Sequence, residues 1–221
     1  MEFSFYDNPE RIANGLKAGK HRRLIGGMWD QIGPLQLDLL KDQGLKPGHR
    51  LLDIGCGALR LGTLAVPYLR PRHYFGTDLN RNLMLEGHTH EIAEPGRLPL
   101  DNLVQDADFT FPGIPGTIDY AIAVSVFTHL PFNHLRRCLL NLRRFKKLDR
   151  FCFTVFLAPS VDASTGPVEQ LGGITSFDTK DPFHFVAEDL DYLGRQTGYD
   201  ISFVDWDHPR NQKMCVARPL A

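Results

Sequence analysis

The stretch Arg50-Leu51-Leu52-Asp53-Ile54-Gly55-Cys56-Gly57-Ala58-Leu59-Arg60 constrains this chain more than any other. An apolar run enters it and ends at Asp53. Two glycines follow with one residue between them, and a segment with helical character then begins. In a parallel α/β protein this is the end of the first strand, a tight turn and the start of the first helix. Ligands of open parallel sheets bind at this end of the strands. Gly55 and Gly57 let the backbone approach a ligand with no Cβ in the way. Asp53 can accept hydrogen bonds from cationic or hydroxyl groups of that ligand.

The spacing excludes two other phosphate-binding turns. The dinucleotide fingerprint G-x-G-x-x-G, counted from Gly55, needs glycine where Arg60 stands. A Walker A loop needs Gly-Lys-Ser/Thr, which is absent.

The rest of the chain alternates strands and helices. Gly33-Pro34 opens a helix with Leu35, Leu39 and Leu40 on one face, and Gly44 ends it. A helix from Ala58 to Leu69 carries Pro67, which predicts a kink or an early end. His73 to Thr77 reads as the second strand and ends at Asp78, 25 residues after Asp53, one strand–helix–strand unit. Helix Leu83 to Glu91 and a Pro95 to Pro99 loop lead to a third strand, Leu100 to Gln105, ending at Asp106-Ala107-Asp108. Ile118 to Val124 is continuously apolar, as buried parallel strands are, and runs into Ser125-Val126-Phe127-Thr128-His129-Leu130. A helix starting at Pro131 places Leu135, Cys138, Leu139, Leu142 and Phe145 on one face; Arg143, Arg144, Lys146 and Lys147 gather at its end, where cations suit the helix dipole. Phe151 to Leu157 is a fifth strand. Helix Glu188 to Thr197 precedes strands Ile201 to Val204 and Lys213 to Ala217, joined closely enough to form an antiparallel hairpin at the sheet edge.

The turn Asp53-x-Gly55-x-Gly57 resembles motif I of the class I S-adenosylmethionine (SAM) methyltransferases, although Leu59 stands where many members carry a third glycine. The segment Ser125 to His129 is similar to their motif IV region. The resemblance covers Leu45 to Arg218. It implies a doubly wound, mostly parallel, seven-stranded α/β sheet of the Rossmann-like kind, closed by the antiparallel hairpin. It implies SAM as cofactor, held by Asp53, Gly55, Cys56, Gly57, Asp78, Leu79, Asp106, Ala107 and Ser125. Asp78 would take the ribose diol through charge-assisted hydrogen bonds. Asp106, with Asp108 as the other choice, would face the adenine. The implied reaction is methyl transfer to a small-molecule acceptor, O- or N-methylation foremost. The alternatives are a SAM- or S-adenosylhomocysteine-binding protein without transfer, and a methyltransferase acting on a protein or RNA.

A hydroxyl acceptor would need a base. His129 after the fourth strand and His184 between two phenylalanines are the catalytic candidates, His129 first by position; His208, before Pro209 in the hairpin connection, reads as structural. Two regions flank the core reading. Residues 1–44 form an arm and a helix covering the cofactor and acceptor side; apolar Phe3, Phe5, Tyr6, Ile12 and Leu16 in the arm must pack on something. Residues 45–221 form the SAM-binding domain, with a lid at 158–182, a stretch punctuated by glycine, proline and serine.

Composition bounds the partners. The chain has 221 residues, 43% hydrophobic and 23% charged, with formal net charge −1, the profile of one globular domain. Nothing in that balance favours nucleic acid or an anionic membrane. The Asp/Asn/Ser-Pro-Pro-aromatic signature of DNA amino-methylating enzymes is absent. Cys56, Cys138, Cys152 and Cys215 share no metal or redox spacing and read as reduced residues of a cytoplasmic protein. Met1 to Phe5 starts no signal peptide, and no metal site is expected.

Overall fold

The structure, a computed structural model, describes residues 8–220; Phe3, Phe5 and Tyr6 of the arm lie outside them. The chain begins with α1 (Pro9–Lys17), capped by Asn8 Oδ1, which accepts from the Arg11 amide at 3.0 Å. Helices α2 (His21–Leu24) and α3 (Trp29–Asp42) follow, then β1 (Leu51–Ile54) and α4 (Gly62–Tyr68). Next come β2 (Tyr74–Asp78), α5 (Arg81–His90), β3 (Leu103–Gln105), β4 (Tyr120–Ala123), α6 (Phe132–Leu142) and β5 (Arg150–Leu157). The last third holds β6 (Val168–Gln170), β7 (Ile174–Ser176), β8 (His184–Phe185), α7 (Ala187–Thr197), β9 (Tyr199–Val204) and β10 (Lys213–Pro219).

The main sheet has the order β3-β2-β1-β4-β5-β10-β9, with β8 adding to the end of β5. Strands β1 to β5 are mutually parallel, whereas β10 runs antiparallel to both neighbours. This is the seven-stranded class I methyltransferase arrangement. Successive residues of a strand face opposite sides, and both sides here are covered. Leu52, Ala121 and Phe151 join the core under α6 and α7, while Leu51, Ile122, Cys152 and Val216 join the core under α3 and α4. No helix of the described residues is long and apolar enough to cross a membrane.

Four elements depart from the pattern reading. Helix α3 starts at Trp29, so Pro34 lies inside it rather than in its first turn. Ile32, fully buried, extends the apolar stripe one turn upstream, and its burial outweighs the backbone bond that Pro34 cannot make. Helix α4 begins at Gly62 instead of Ala58, because Leu59 has φ 64°, outside the right-handed region. Residues Leu100–Asn102 form a 3₁₀ turn, and β3 is correspondingly shorter; the Asn102 side-chain amide donates to the carbonyls of Arg72 and Tyr74. Finally, 158–182 is not patternless. Val168-Glu169-Gln170 pairs antiparallel with Ile174-Thr175-Ser176 across a Gly172-Gly173 turn in which both glycines have positive φ.

Candidate active site

The turn after β1 is built from backbone that only its sequence permits. Gly55 and Gly57 have φ 69° and 55°, the left-handed region. Their amide neighbourhood is crowded: a Cβ on Gly55 would lie 2.4 Å from Val126 Cγ2, and one on Gly57 2.6 Å from Ile25 Cγ2. The Gly55 and Cys56 amides both donate to the Thr77 carbonyl, at 2.7 and 3.1 Å, which folds the turn over the end of β2. Asp78 locks it there. Its Oδ2 accepts from the Gly57 amide at 2.9 Å, and its Oδ1 from the Asn80 amide at 2.8 Å. Asn80 in turn caps α5 through Leu83.

Around this turn lies a cavity of about 320 Å³ at the carboxyl ends of the strands. That volume sits within the range of small-ligand pockets. Asp53, Gly55, Cys56, Gly57, Asp78, Leu79, Asp106, Ala107 and Ser125 all line it, and so does His129. Asp106 and Asp108 part ways here. Asp106 lines the cavity and accepts from the Asp108 and Phe111 amides at 3.0 and 2.7 Å. Asp108 points outward to Arg137 at 2.6 Å.

The electrostatics of the cavity are dominated by buried carboxylates. Burial pushes Asp53 up to about 7, against the hydrogen bond from Tyr74 Oη at 2.6 Å and the attraction of Arg60. Burial also raises Asp78, while the amides of Asn80 and Gly57 oppose it. A carboxylate can remain charged in such a place only with donors around it.

The candidate histidines separate by place. His129 Nδ1 lies 2.6 Å from Asp181 Oδ1, so a residue of the 158–182 segment fixes its ring. No residue of 158–182 is itself among those lining the cavity. The structure does not bring His184 to the cavity. Its Nε2 lies 2.9 Å from the Ser164 carbonyl and must donate to it, and its Nδ1 meets Ser176 Oγ at 3.1 Å. Both ring nitrogens are thus used inside the fold, which removes His184 as a base. His208 is buried and pushed down to about 4 by burial, then by Arg60 and Arg210.

Several lining residues escaped the sequence reading. Ile12 and Ile25 reach the cavity from the arm, Gln36 from α3, and Arg60 and Leu61 from the loop before α4. Only Gln36 left a signal, a polar residue on the apolar stripe between Ile32 and Leu40. The arm is fastened by Glu91, which accepts from Arg22 Nε and Nη2 at 2.7 Å each and meets His21 Nε2 at 2.5 Å. Those bonds, Arg22 first, hold the Glu91 carboxyl below its ordinary range.

Residues 52–147 match the family model described as a methyltransferase domain. Among solved structures, the magnesium protoporphyrin IX methyltransferase of Synechocystis with bound SAM is 16% identical at TM-score 0.58, over 86% of this chain and 81% of that one. A SAM-dependent methyltransferase from Clostridium acetobutylicum is 12% identical at TM-score 0.64, over 95% of this chain and all of that one. A DhpI–S-adenosylhomocysteine complex is 17% identical at TM-score 0.55, over 86% and 85% of the two chains. At such identities the likeness carries the fold.

Proposed function

We infer that this chain, a class I SAM-dependent methyltransferase, methylates a small-molecule acceptor. The observation that carries the reading is the convergence of the Asp53-x-Gly55-x-Gly57 turn, Asp78 and the β4 end on one cavity. The cavity fits SAM: the Gly55 and Gly57 positions are cradles that a Cβ would fill, and the carboxylates face its cationic and hydroxyl groups. We assign Asp78 to the ribose diol, Asp106 and Ala107 to the adenine side, and Ser125 to the border of the donor. Bound there, SAM supplies an activated methyl group.

The protein's own contribution is alignment, exclusion of water and proton management. Alignment of two reactants is worth about 7–11 kcal/mol when the geometry is near attack. The Asp181 carboxylate engages Nδ1 of His129, which makes Nε2 the nitrogen that accepts a proton from the acceptor. A small acceptor is supported by the size of the cavity and by the use of the basic cluster near α6. Arg143 Nη1 donates to the Thr197 carbonyl at 2.9 Å, and Arg144 Nη1 to those of Thr110 and Phe111 at 2.9 and 3.0 Å. These cations hold loops and helix ends together, which is a different task from gripping a phosphate backbone.

Isothermal titration with S-adenosylhomocysteine tests the cofactor reading; no heat of binding at millimolar ligand would overturn it. A panel of hydroxyl and amine metabolites with labelled SAM then tests the acceptor class. His129→Ala should lower the rate on the accepted compound by at least tenfold, within the about 10²–10⁴-fold range of general bases, and leave S-adenosylhomocysteine affinity unchanged. The acid limb of the wild-type pH–rate profile should vanish in that variant. A full rate with the same profile would remove His129 from the reaction.

A further inference from the structure

The deep end of the cavity holds three buried polar side chains that the ribose and adenine contacts leave unused. Gln36 is 4% exposed, Asp53 3% and Arg60 8%, and all three line the cavity. They converge by helix geometry. A Cβ on Gly33 would lie 3.4 Å from the Arg60 carbonyl and 3.6 Å from Arg60 Cγ, so this face of α3 rests on Arg60. Gln36 is three residues further along α3 and therefore on the same face. Arg60 acts electrostatically on Asp53, and its Nη1 donates to the Gly27 carbonyl at 3.0 Å, which fixes the guanidinium.

Gln36 Oε1 is buried and has no hydrogen-bond partner among the described residues. Buried amide oxygens are almost always paired, so an unpaired one beside a cavity points to a donor on a ligand. A carboxylate at Asp53 and an amide oxygen at Gln36 suit an ammonium; a planar guanidinium suits a carboxylate. A ligand group that carries both charges on one carbon matches this triangle.

We propose that Gln36, Asp53 and Arg60 form the receptor for the amino-acid end of the cofactor, with Arg60 on the carboxylate and Asp53 and Gln36 on the ammonium; this rests on the cofactor reading above. The site explains why a charged arginine occupies a place where a helix could begin with a small residue. It also explains why α3 tolerates a glutamine on its core face. The raised affinity of Asp53 for its proton fits a carboxylate whose partner arrives with the ligand. The assignment makes α3 part of the cofactor site and ties its occupancy to the backbone at Gly27, where the arm joins α3.

The test is calorimetry with three probes on the full chain: S-adenosylhomocysteine, its decarboxylated form S-adenosyl-3-thiopropylamine, and 5′-methylthioadenosine, which lacks the amino-acid end. Wild-type protein should bind the three in that order of decreasing affinity. Arg60→Met should weaken S-adenosylhomocysteine at least about tenfold, the usual scale of a charge-assisted hydrogen bond, and leave the other two probes within about twofold. Gln36→Leu should weaken both amine-bearing probes and spare methylthioadenosine. Arg60→Lys, which keeps the charge, serves where the methionine variant fails to fold, and should fall between the two. Equal loss on all three probes, or no loss on any, would overturn the assignment. Failure of wild-type protein to bind any probe would overturn the cofactor reading itself, a result distinct from the first.

Discussion

Replacement of Asp53 by asparagine should make the ligand-free protein more stable, and increasingly so as the pH rises. Asp53 is 3% exposed and its carboxyl is pushed from 3.8 up to about 7, burial outweighing the Tyr74 hydrogen bond and the attraction of Arg60. A carboxyl raised in this way binds its proton more tightly in the fold than in the unfolded chain. The penalty for ionising it is therefore absent below the unfolded value, grows through the interval, and is complete above about pH 7. At 1.36 kcal/mol per pH decade, the full penalty is about 4 kcal/mol, falling to about 2 kcal/mol at pH 5.5 and to near zero at pH 4. Asparagine has the same shape and carries no charge, and its amide oxygen still accepts from Tyr74. In a domain of this length 1 kcal/mol moves Tm by about 2–4 °C, so the variant should melt about 8–16 °C higher at pH 8. Differential scanning calorimetry of both proteins from pH 4 to 8 measures this, and titration with S-adenosylhomocysteine should show the price in a weakened Kd. A Tm difference that does not change with pH, or a wild-type protein more stable at pH 8, would refute the reasoning.

Gly57→Val should abolish cofactor binding, since its branched side chain meets Ile25 at a position with φ 55°, whereas Leu59→Gly should bind and melt lower. Leu59 is fully buried, and losing such a side chain costs about 2–5 kcal/mol, of which relief of its left-handed backbone returns only about 1–2 kcal/mol; the reverse ranking in calorimetry would show the turn to be misread. Glu91→Gln removes the acceptor that both Arg22 and His21 use, and limited proteolysis should then cut the arm faster and release S-adenosylhomocysteine sooner. Equal cleavage of the two proteins would mean that packing of Ile12 and Ile25, and not the ion pair, holds the arm.

The sheet was legible because its strands are buried on both faces and read as apolar runs without interruption, Leu51 to Ile54 and Tyr120 to Ala123 among them. The turn chemistry was legible because Asp53, Gly55 and Gly57 lie close in sequence, and Asp78 sits at the fixed distance of one strand–helix–strand unit. What remained hidden depends on contacts between distant segments. Asp181 meets His129 across 52 residues of chain, and Arg60 looked only like a misplaced residue of another fingerprint. The β6–β7 hairpin carried the signal of a Gly172-Gly173 turn, but three-residue strands that alternate only weakly were lost among the prolines and serines around them.

Leu59 poses the question of how this chain manages without a third glycine. The backbone at Leu59 still takes the left-handed conformation, φ 64°, and its side chain is buried in the core under α3 and α4. The close approach that a glycine would permit is found instead on α5. A Cβ on Gly87 would lie 2.2 Å from the Ala58 carbonyl oxygen and 2.4 Å from its carbon, both backbone atoms. Helix α5 thus rests against the peptide that precedes Leu59, and Gly87 is the residue that lets it. Helix propensity alone favours Gly87→Ala by about 1 kcal/mol. The collision opposes it: forcing one methyl into packed backbone costs about 1–3 kcal/mol, and a contact this short lies at the upper end. The variant should therefore melt lower by several degrees and bind S-adenosylhomocysteine more weakly, because the displaced backbone continues directly into Gly57. A higher Tm with unchanged affinity would show that α5 does not brace the turn.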